Sequence, residues 1–192
     1  MERKLRDFAA FSVALADNAD FLATQEDALN IITESIRNGG TVFVCGNGGS
    51  ATQASHMVGE LVGRFRFDRS ALPAISLFDL ATTTAIGNDY GYDETFSRFV
   101  AGLGKFDDVL ISLSTSGNSK NCLRAMEEAK KKGMKTVSFL GRDGGAMKNM
   151  SDAAIVVPSN DTPTIQEVHL MVLHDLCDRL EKRFFGKEKN ES

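Results

Sequence analysis

The sequence predicts an α/β domain built on a mostly parallel sheet with helices on both faces. Three observations predict it. Five short apolar runs, at 41–45, 74–78, 109–113, 136–140 and 153–157, are spread along the chain, as the buried strands of a parallel sheet are. Segments with helical spacing of apolar residues separate them, the pattern of right-handed βαβ crossovers. Small-residue turns follow the first and third runs, and such sheets bind ligands beyond the carboxyl ends of their strands.

Residues 2–37 read as helix, because Leu5, Phe8, Phe11, Leu15, Leu22, Ala28, Ile31, Ile32 and Ile36 recur close to the spacing of a buried helical stripe. Asp17-Asn18 or Thr24-Gln25 is where it divides into two helices, and Gly39-Gly40 stops it. The first strand, Thr41-Val42-Phe43-Val44-Cys45, is a short apolar run bounded by glycines. Helical segments then fall at about 50–65, 80–102, 118–132, a short piece near 145–150, and 164–185, each between two strands or after the last one. No repeat, linker or low-complexity stretch interrupts the chain. Residues 1–192 therefore read as one domain, with 1–37 an N-terminal helical extension and 187–192 a solvated tail.

The 192 residues suffice for one real core, and 42% apolar with 25% charged residues is ordinary globular composition. A net charge of −4 argues against non-specific binding to nucleic acid or membrane, which draws on basic surfaces. Cys45, Cys122 and Cys177 are odd in number and show no CxxC spacing, so a disulfide framework or thiolate zinc site is not expected, and a reducing compartment fits. Glu2, Arg3 and Lys4 follow Met1 with no apolar signal core behind them, and no apolar run approaches the roughly 18 residues of a spanning helix. The expectation is a cytoplasmic protein.

The first small-residue turn is Gly46-Asn47-Gly48-Gly49-Ser50 and the second is Ser114-Thr115-Ser116-Gly117-Asn118-Ser119. Glycine lets backbone approach a ligand closely, and the exposed N–H groups of a helix start favour an anion. Ser114, Thr115, Ser116 and Ser119 add hydroxyl donors without adding charge. The same residue types are also the preferred helix caps. Neither turn is a dinucleotide fingerprint or a Walker loop, because the G-x-G-x-x-G spacing and the Gly-Lys-Ser/Thr ending are both missing.

His56 and Glu60 are spaced i,i+4 on the helix after the first turn, which puts them side by side. On the last helix Gln166, Leu170 and His174 share one face in steps of four. If those faces meet, His56, Glu60, Gln166 and His174 offer nitrogen and oxygen ligands for a divalent metal such as zinc. Glu60 and His174 also form an acid/base pair able to move a proton between adjacent carbons. A surface His–Glu hydrogen bond and a packed imidazole account for the same spacing without chemistry. His169 lies on another face and reads as structural, exposed or at a subunit contact. Asn88 and Asp89, in Gly87-Asn88-Asp89-Tyr90-Gly91, either hold sugar hydroxyls or form a polar turn. Arg64 and Arg66 either approach an anion or are solvated, and Lys130-Lys131-Lys132 reads as a helix end complementing the dipole.

Taken together, Cys45-Gly46-Asn47-Gly48-Gly49-Ser50, His56-Met57-Val58-Gly59-Glu60-Leu61, Gly87-Asn88-Asp89, Ser114-Thr115-Ser116-Gly117-Asn118-Ser119 and Ile165-Gln166-Glu167-Val168-His169 resemble the sugar-isomerase (SIS) domain of phosphoheptose isomerases. The resemblance runs from the first helix to nearly the end, in order and with matching spacing. It implies a flavodoxin-like five-stranded parallel sheet and a homotetramer with active sites at subunit contacts. It implies conversion of D-sedoheptulose 7-phosphate to D-glycero-D-manno-heptose 7-phosphate, the entry to nucleotide-activated heptose synthesis for lipopolysaccharide or other surface glycans. By the family pattern Ser114, Thr115, Ser116 and Ser119 take the phosphate, and Asn47, Gly48, Gly49, Asn88 and Asp89 contact the sugar. His56, Glu60, Gln166 and His174 hold one zinc per subunit, Glu60 and Gln166 also reach the substrate, and Glu60 with His174 transfers the proton. Two positions depart from the pattern: Thr164 stands where relatives commonly carry Arg, and Gly59 where an acidic residue is frequent. Non-catalytic SIS adaptors that associate with the replication initiator resemble the chain over its full length too, but lack the counterparts of Glu60 and His174. A sugar-phosphate sensor needs only the hydroxyl-rich turns.

Overall fold

A computed structural model describes residues 2–186. The five apolar runs pair as one parallel sheet in the order β2-β1-β3-β4-β5, with β1 at Val42–Gly46, β2 at Ala74–Ser76, β3 at Val109–Ser114, β4 at Lys135–Gly141 and β5 at Ala153–Val157. β1 and β3 are buried along their whole length. Helices cover both faces of a central strand, so its sequence is continuously apolar rather than alternating. β5 lies at an edge and alternates buried with half-buried positions.

The helices are α1 (Glu2–Ala16), α2 (Ala19–Arg37), α3 (Gly49–Val62), α4 (Leu80–Tyr90), α5 (Thr95–Leu103), α6 (Lys120–Lys131), the single turn α7 (Gly145–Lys148) and α8 (Thr162–Phe185). On one face of the sheet α2, α3 and α8 bury Leu29, Ile32, Met57, Leu61, Leu173 and Leu176 against Val44, Ile111, Phe139 and Ile155. On the other, α5, α6 and α7 bury Phe96, Val100, Met126 and Met147 against Phe43, Leu110 and Leu140. Each such side chain contributes about 1.5–3 kcal/mol of burial free energy.

The break in the N-terminal helix falls at Asp17-Asn18 rather than Thr24-Gln25. There Asn18 caps α2 by accepting the Phe21 N–H at 2.9 Å. The segment read as one helix over 80–102 is two, separated by a 3-10 turn at Tyr92–Glu94. Gly91 causes the division: its φ of 91° is open to glycine and reverses the chain after α4. The helix expected at 50–65 ends at Val62, where Gly63 caps it, and the edge strand expected over 74–78 closes at Ser76. The tail expected at 187–192 lies outside the described residues. Among the described residues no helix is long and apolar enough to cross a membrane.

His169 corrects the sequence reading, for it is neither exposed nor at a surface. It is completely buried, packs edge-on against Phe139 at 5.7 Å, and donates Nε2–H to the Leu140 carbonyl at 3.0 Å. On α8 the position faces the sheet, and that one hydrogen bond makes a neutral imidazole tolerable there. Burial, partly opposed by the Leu140 bond, lowers its pKa from 6.5 to about 4. The unfolded chain therefore binds a proton between those values that the folded chain refuses. The stability contributed by neutral His169 is complete above about pH 6.5 and is lost as pH falls toward 4, by about 3 kcal/mol in all. Urea unfolding followed from pH 7 to 4.5 is expected to show this loss, and His169→Gln, which keeps the N–H donor, is expected to flatten it.

Candidate active site

The strand order reverses between β1 and β3, and both small-residue turns leave the carboxyl ends of those two neighbours. A crevice opens at such a switch point. Gly48, at φ 56°, begins α3 without any side-chain cap, and Ser119 begins α6 without using its hydroxyl as one. By contrast α2, α4 and α8 are each capped by an Asn or Asp side chain. The capping explanation of the hydroxyl-rich turn is therefore not what the Ser119 side chain does. Its Oγ lies 2.8 Å from Ser114 Oγ, and Ser114 Oγ lies 3.4 Å from Ser116 Oγ, which gathers three hydroxyls beside a helix N-terminus. Such a cluster donates to an anion without carrying a charge of its own.

The shape of this turn comes from α7. The Met147 N–H donates to the Gly117 carbonyl at 3.0 Å, and the Ala146 N–H donates to Asn118 Oδ1 at 3.0 Å. Gly117 has φ 64°, and a Cβ there would fall 2.0 Å from the Gly144 carbonyl oxygen.

α3 and α8 pack together and bring His56, Glu60 and His174 into one cluster. His56 Nε2 lies 2.9 Å from His174 Nε2 and 3.2 Å from Glu60 Oε1, and one ligand atom of each residue falls within 4.8 Å of the others. The two ring nitrogens share one proton at that separation, or face a common cation. Ligand atoms of a tetrahedral zinc with bonds of 2.0–2.1 Å lie roughly 3.3 Å apart, so the donor set and its spacing fit such an ion. Phe65 stacks on the His174 ring at 5.7 Å and 14°, holding its orientation. Gln166 lies beside the start of α3, where a Cβ on Gly49 would come within 2.6 Å of its Nε2. Its backbone carbonyl accepts from Gln53 Nε2 at 2.6 Å.

A buried ion pair supports the cluster. Glu181 is fully buried and accepts the Phe65 N–H at 3.0 Å, the Arg66 N–H at 2.7 Å and Arg69 Nε at 3.1 Å. Arg69 in turn donates to the carbonyls of Glu60 at 2.7 Å and Leu61 at 2.6 Å. Burial alone pushes the Glu181 carboxyl up, but the two amides and the guanidinium outweigh it and hold it below the usual carboxylate range.

Other candidates are placed differently. The Asn47 side chain is engaged with the protein, its amide paired with Asn121 and its Oδ1 accepting from Tyr92 at 2.7 Å. Asn88 and Asp89 occupy the last turn of α4 rather than a loop; both are exposed, and Asn88 Nδ2 donates to Asp89 Oδ1 at 2.8 Å. Arg66 leans on Phe65 and pairs with Asp178 at 3.5 Å, while Arg64 is exposed. Lys131 pairs with Glu128 at the end of α6, as a solvated helix end does. Thr164 reinforces the cap of α8 by donating its hydroxyl to Asp161 Oδ2 at 2.7 Å. Sequence reasoning missed Phe65, Arg69, Tyr92, Asn121 and Glu181. Arg69 and Glu181 are 112 residues apart, and nothing local marks them as partners.

Comparison with known proteins finds the SIS domain model matching residues 14–141. A phosphoheptose isomerase of Helicobacter pylori is 50% identical over 184 residues, covering 95% of this chain and 96% of that protein. That of a Nitratiruptor species is 55% identical over 155 residues, covering 80% of this chain and 83% of the other. Among solved structures, a phosphoheptose isomerase from Francisella tularensis superposes with a TM-score of 0.89 at 37% identity, covering 94% of this chain and 96% of that one.

Gly117 offers a direct check on the hydroxyl-rich turn. Gly117→Ala meets both an unfavourable φ and the Gly144 carbonyl. It is expected to destabilise the fold by about 1–3 kcal/mol and to weaken phosphate binding, measured by urea unfolding and by calorimetry.

Proposed function

The chain belongs to the SIS-domain family and, within it, to the phosphoheptose isomerases, and from that premise we propose how its residues convert D-sedoheptulose 7-phosphate to D-glycero-D-manno-heptose 7-phosphate. The reaction opens the synthesis of nucleotide-activated heptose. The observation that carries the reading is the meeting of Glu60 from α3 with His174 from α8, in a chain whose hydroxyl-rich turn leaves β3 at the sheet's switch point. A non-catalytic adaptor or a sensor has no need of that meeting.

The phosphate end of the sugar is held by the N–H groups at the start of α6 and by Ser114, Thr115, Ser116 and Ser119. The backbone of Asn47, Gly48 and Gly49, with Asn88, Asp89 and Gln166, orients the carbon chain. Isomerisation removes a proton from the carbon beside the ketone, forms an enediol, and returns a proton to the former carbonyl carbon. Glu60 and His174 supply the base and the acid for these transfers. Phe65 covers one face of His174 and fixes which way its ring points. His56, Glu60, Gln166 and His174 would hold one zinc ion per subunit, which when bound supplies positive charge to the oxygen where the enediol's negative charge develops.

The assembly we propose is a homotetramer with its active sites at subunit contacts, the N-terminal helices taking part in the packing. Its support is the apolar surface left on those helices and on α8: Leu5 is 65% exposed, Val13 63%, Leu22 49% and Met171 51%. Three buried free thiols, Cys45, Cys122 and Cys177, suit a reducing cytoplasm.

Incubation with sedoheptulose 7-phosphate is expected to yield the aldose phosphate. Glu60→Gln is expected to lower kcat by about a thousandfold with an unchanged melting temperature. Retained activity in that variant rejects the catalytic assignment. Stripping metal with a chelator is expected to remove part of the activity and to leave less than one zinc per subunit by elemental analysis, and zinc alone is expected to restore both. Full activity in metal-free protein removes zinc from the scheme.

A further inference from the structure

We propose that Asn121, together with Tyr92, is a positioning residue that holds the sugar-facing and phosphate-facing segments at one fixed spacing. The inference rests on the isomerase reading above and adds residues that reading does not use.

Asn121 sits in the first turn of α6, two residues past Ser119, and is only 2% exposed. Every hydrogen-bonding position of its amide is occupied. Its Oδ1 accepts from Asn47 Nδ2 at 2.9 Å and from the Cys122 N–H at 3.0 Å, and its Nδ2 donates to Asn47 Oδ1 at 2.8 Å and to Thr95 Oγ1 at 3.3 Å. Thr95 Oγ1 donates to the Tyr92 carbonyl at 2.9 Å, and the Tyr92 hydroxyl donates to Asn47 Oδ1 at 2.7 Å. The bonds close a ring: Asn47 to Asn121, to Thr95, to Tyr92, and back to Asn47.

That ring joins three segments far apart in sequence. Asn47 belongs to the turn after β1. Asn121 belongs to the helix whose start carries the hydroxyl-rich turn. Tyr92 follows Gly91, just beyond Asn88 and Asp89. A buried amide with all its bonds made has one energetically acceptable position, because moving either loop orphans donors and acceptors away from water. A phosphosugar touches all three segments at once, whereas inorganic phosphate needs only the hydroxyl-rich turn. The ring therefore controls affinity for the chain of the sugar and not for its phosphate.

The test compares two probes by calorimetry: inorganic phosphate, and a heptitol 7-phosphate, which has no carbonyl to isomerise. Asn121→Asp keeps the shape but loses the two N–H bonds. Tyr92→Phe removes one hydroxyl from a ring that is 58% exposed, and so leaves the core intact. Asn121→Asp is expected to weaken the heptitol phosphate about tenfold and Tyr92→Phe about threefold, with phosphate affinity held within about twofold in both. In turnover both variants are expected to raise KM more than they lower kcat. Parallel loss of both probes, or loss of neither, overturns the inference and assigns the ring to folding alone. Should Asn121→Asp not fold, the selective loss in Tyr92→Phe decides by itself. Wild-type protein that turns over sedoheptulose 7-phosphate while the variants show no selectivity overturns this inference only; wild-type protein that binds neither probe overturns the isomerase reading with it.

Discussion

The meeting of Glu60 and His174 depends on one buried ion pair. Arg69 and Glu181 are almost wholly removed from water, with side-chain exposures of 2% and 0%. Two charges in such a place are tolerable only if their lone pairs and protons are spoken for. Here they are: the carboxylate receives two backbone amides and a guanidinium nitrogen, and the guanidinium donates to backbone carbonyls at the end of α3. The pair thus stitches the end of one helix to the face of another, with Phe65 and His174 stacked beside it.

The sheet does the rest of the positioning. A parallel sheet with its order reversed between β1 and β3 places two helix starts side by side, and both enter without a side-chain cap. At α3 the Ser50 and Ala51 N–H groups donate to the Asn47 and Gly48 carbonyls, and at α6 the Cys122 N–H donates to Asn121 Oδ1. The donors gathered at this end of the sheet are therefore the hydroxyls of Ser114, Ser116 and Ser119. Glycines at 48, 49 and 117 are there for different reasons. Gly48 and Gly117 adopt a positive φ, while Gly49 leaves room for the Gln166 amide.

Most of this architecture was legible in the sequence, because local patterns carry it. Strand runs, helix spacing and the two turns are short-range signals, and the His56–Glu60 and Gln166–His174 spacings state which face each residue occupies. What was not legible is long-range or conformational. Nothing in the neighbourhood of Arg69 announces a partner 112 residues later, and nothing around Asn121 distinguishes a buried amide from a polar helix start. His169 was misplaced because a histidine amid Glu167 and Val168 gives no sign of which side the sheet lies on. The helix over 80–102 divided at Gly91 because a glycine inside a helical pattern marks either a packing site or a reversal, and only its φ decides.

The ring of amides and hydroxyls joining Asn47, Thr95, Tyr92 and Asn121 contains no ionised group. Dissolved salt screens charges and leaves neutral hydrogen bonds nearly untouched. The spacing that this ring sets between the two turns is therefore blind to the ionic strength around it, whereas the attraction of any charged ligand to those turns is not.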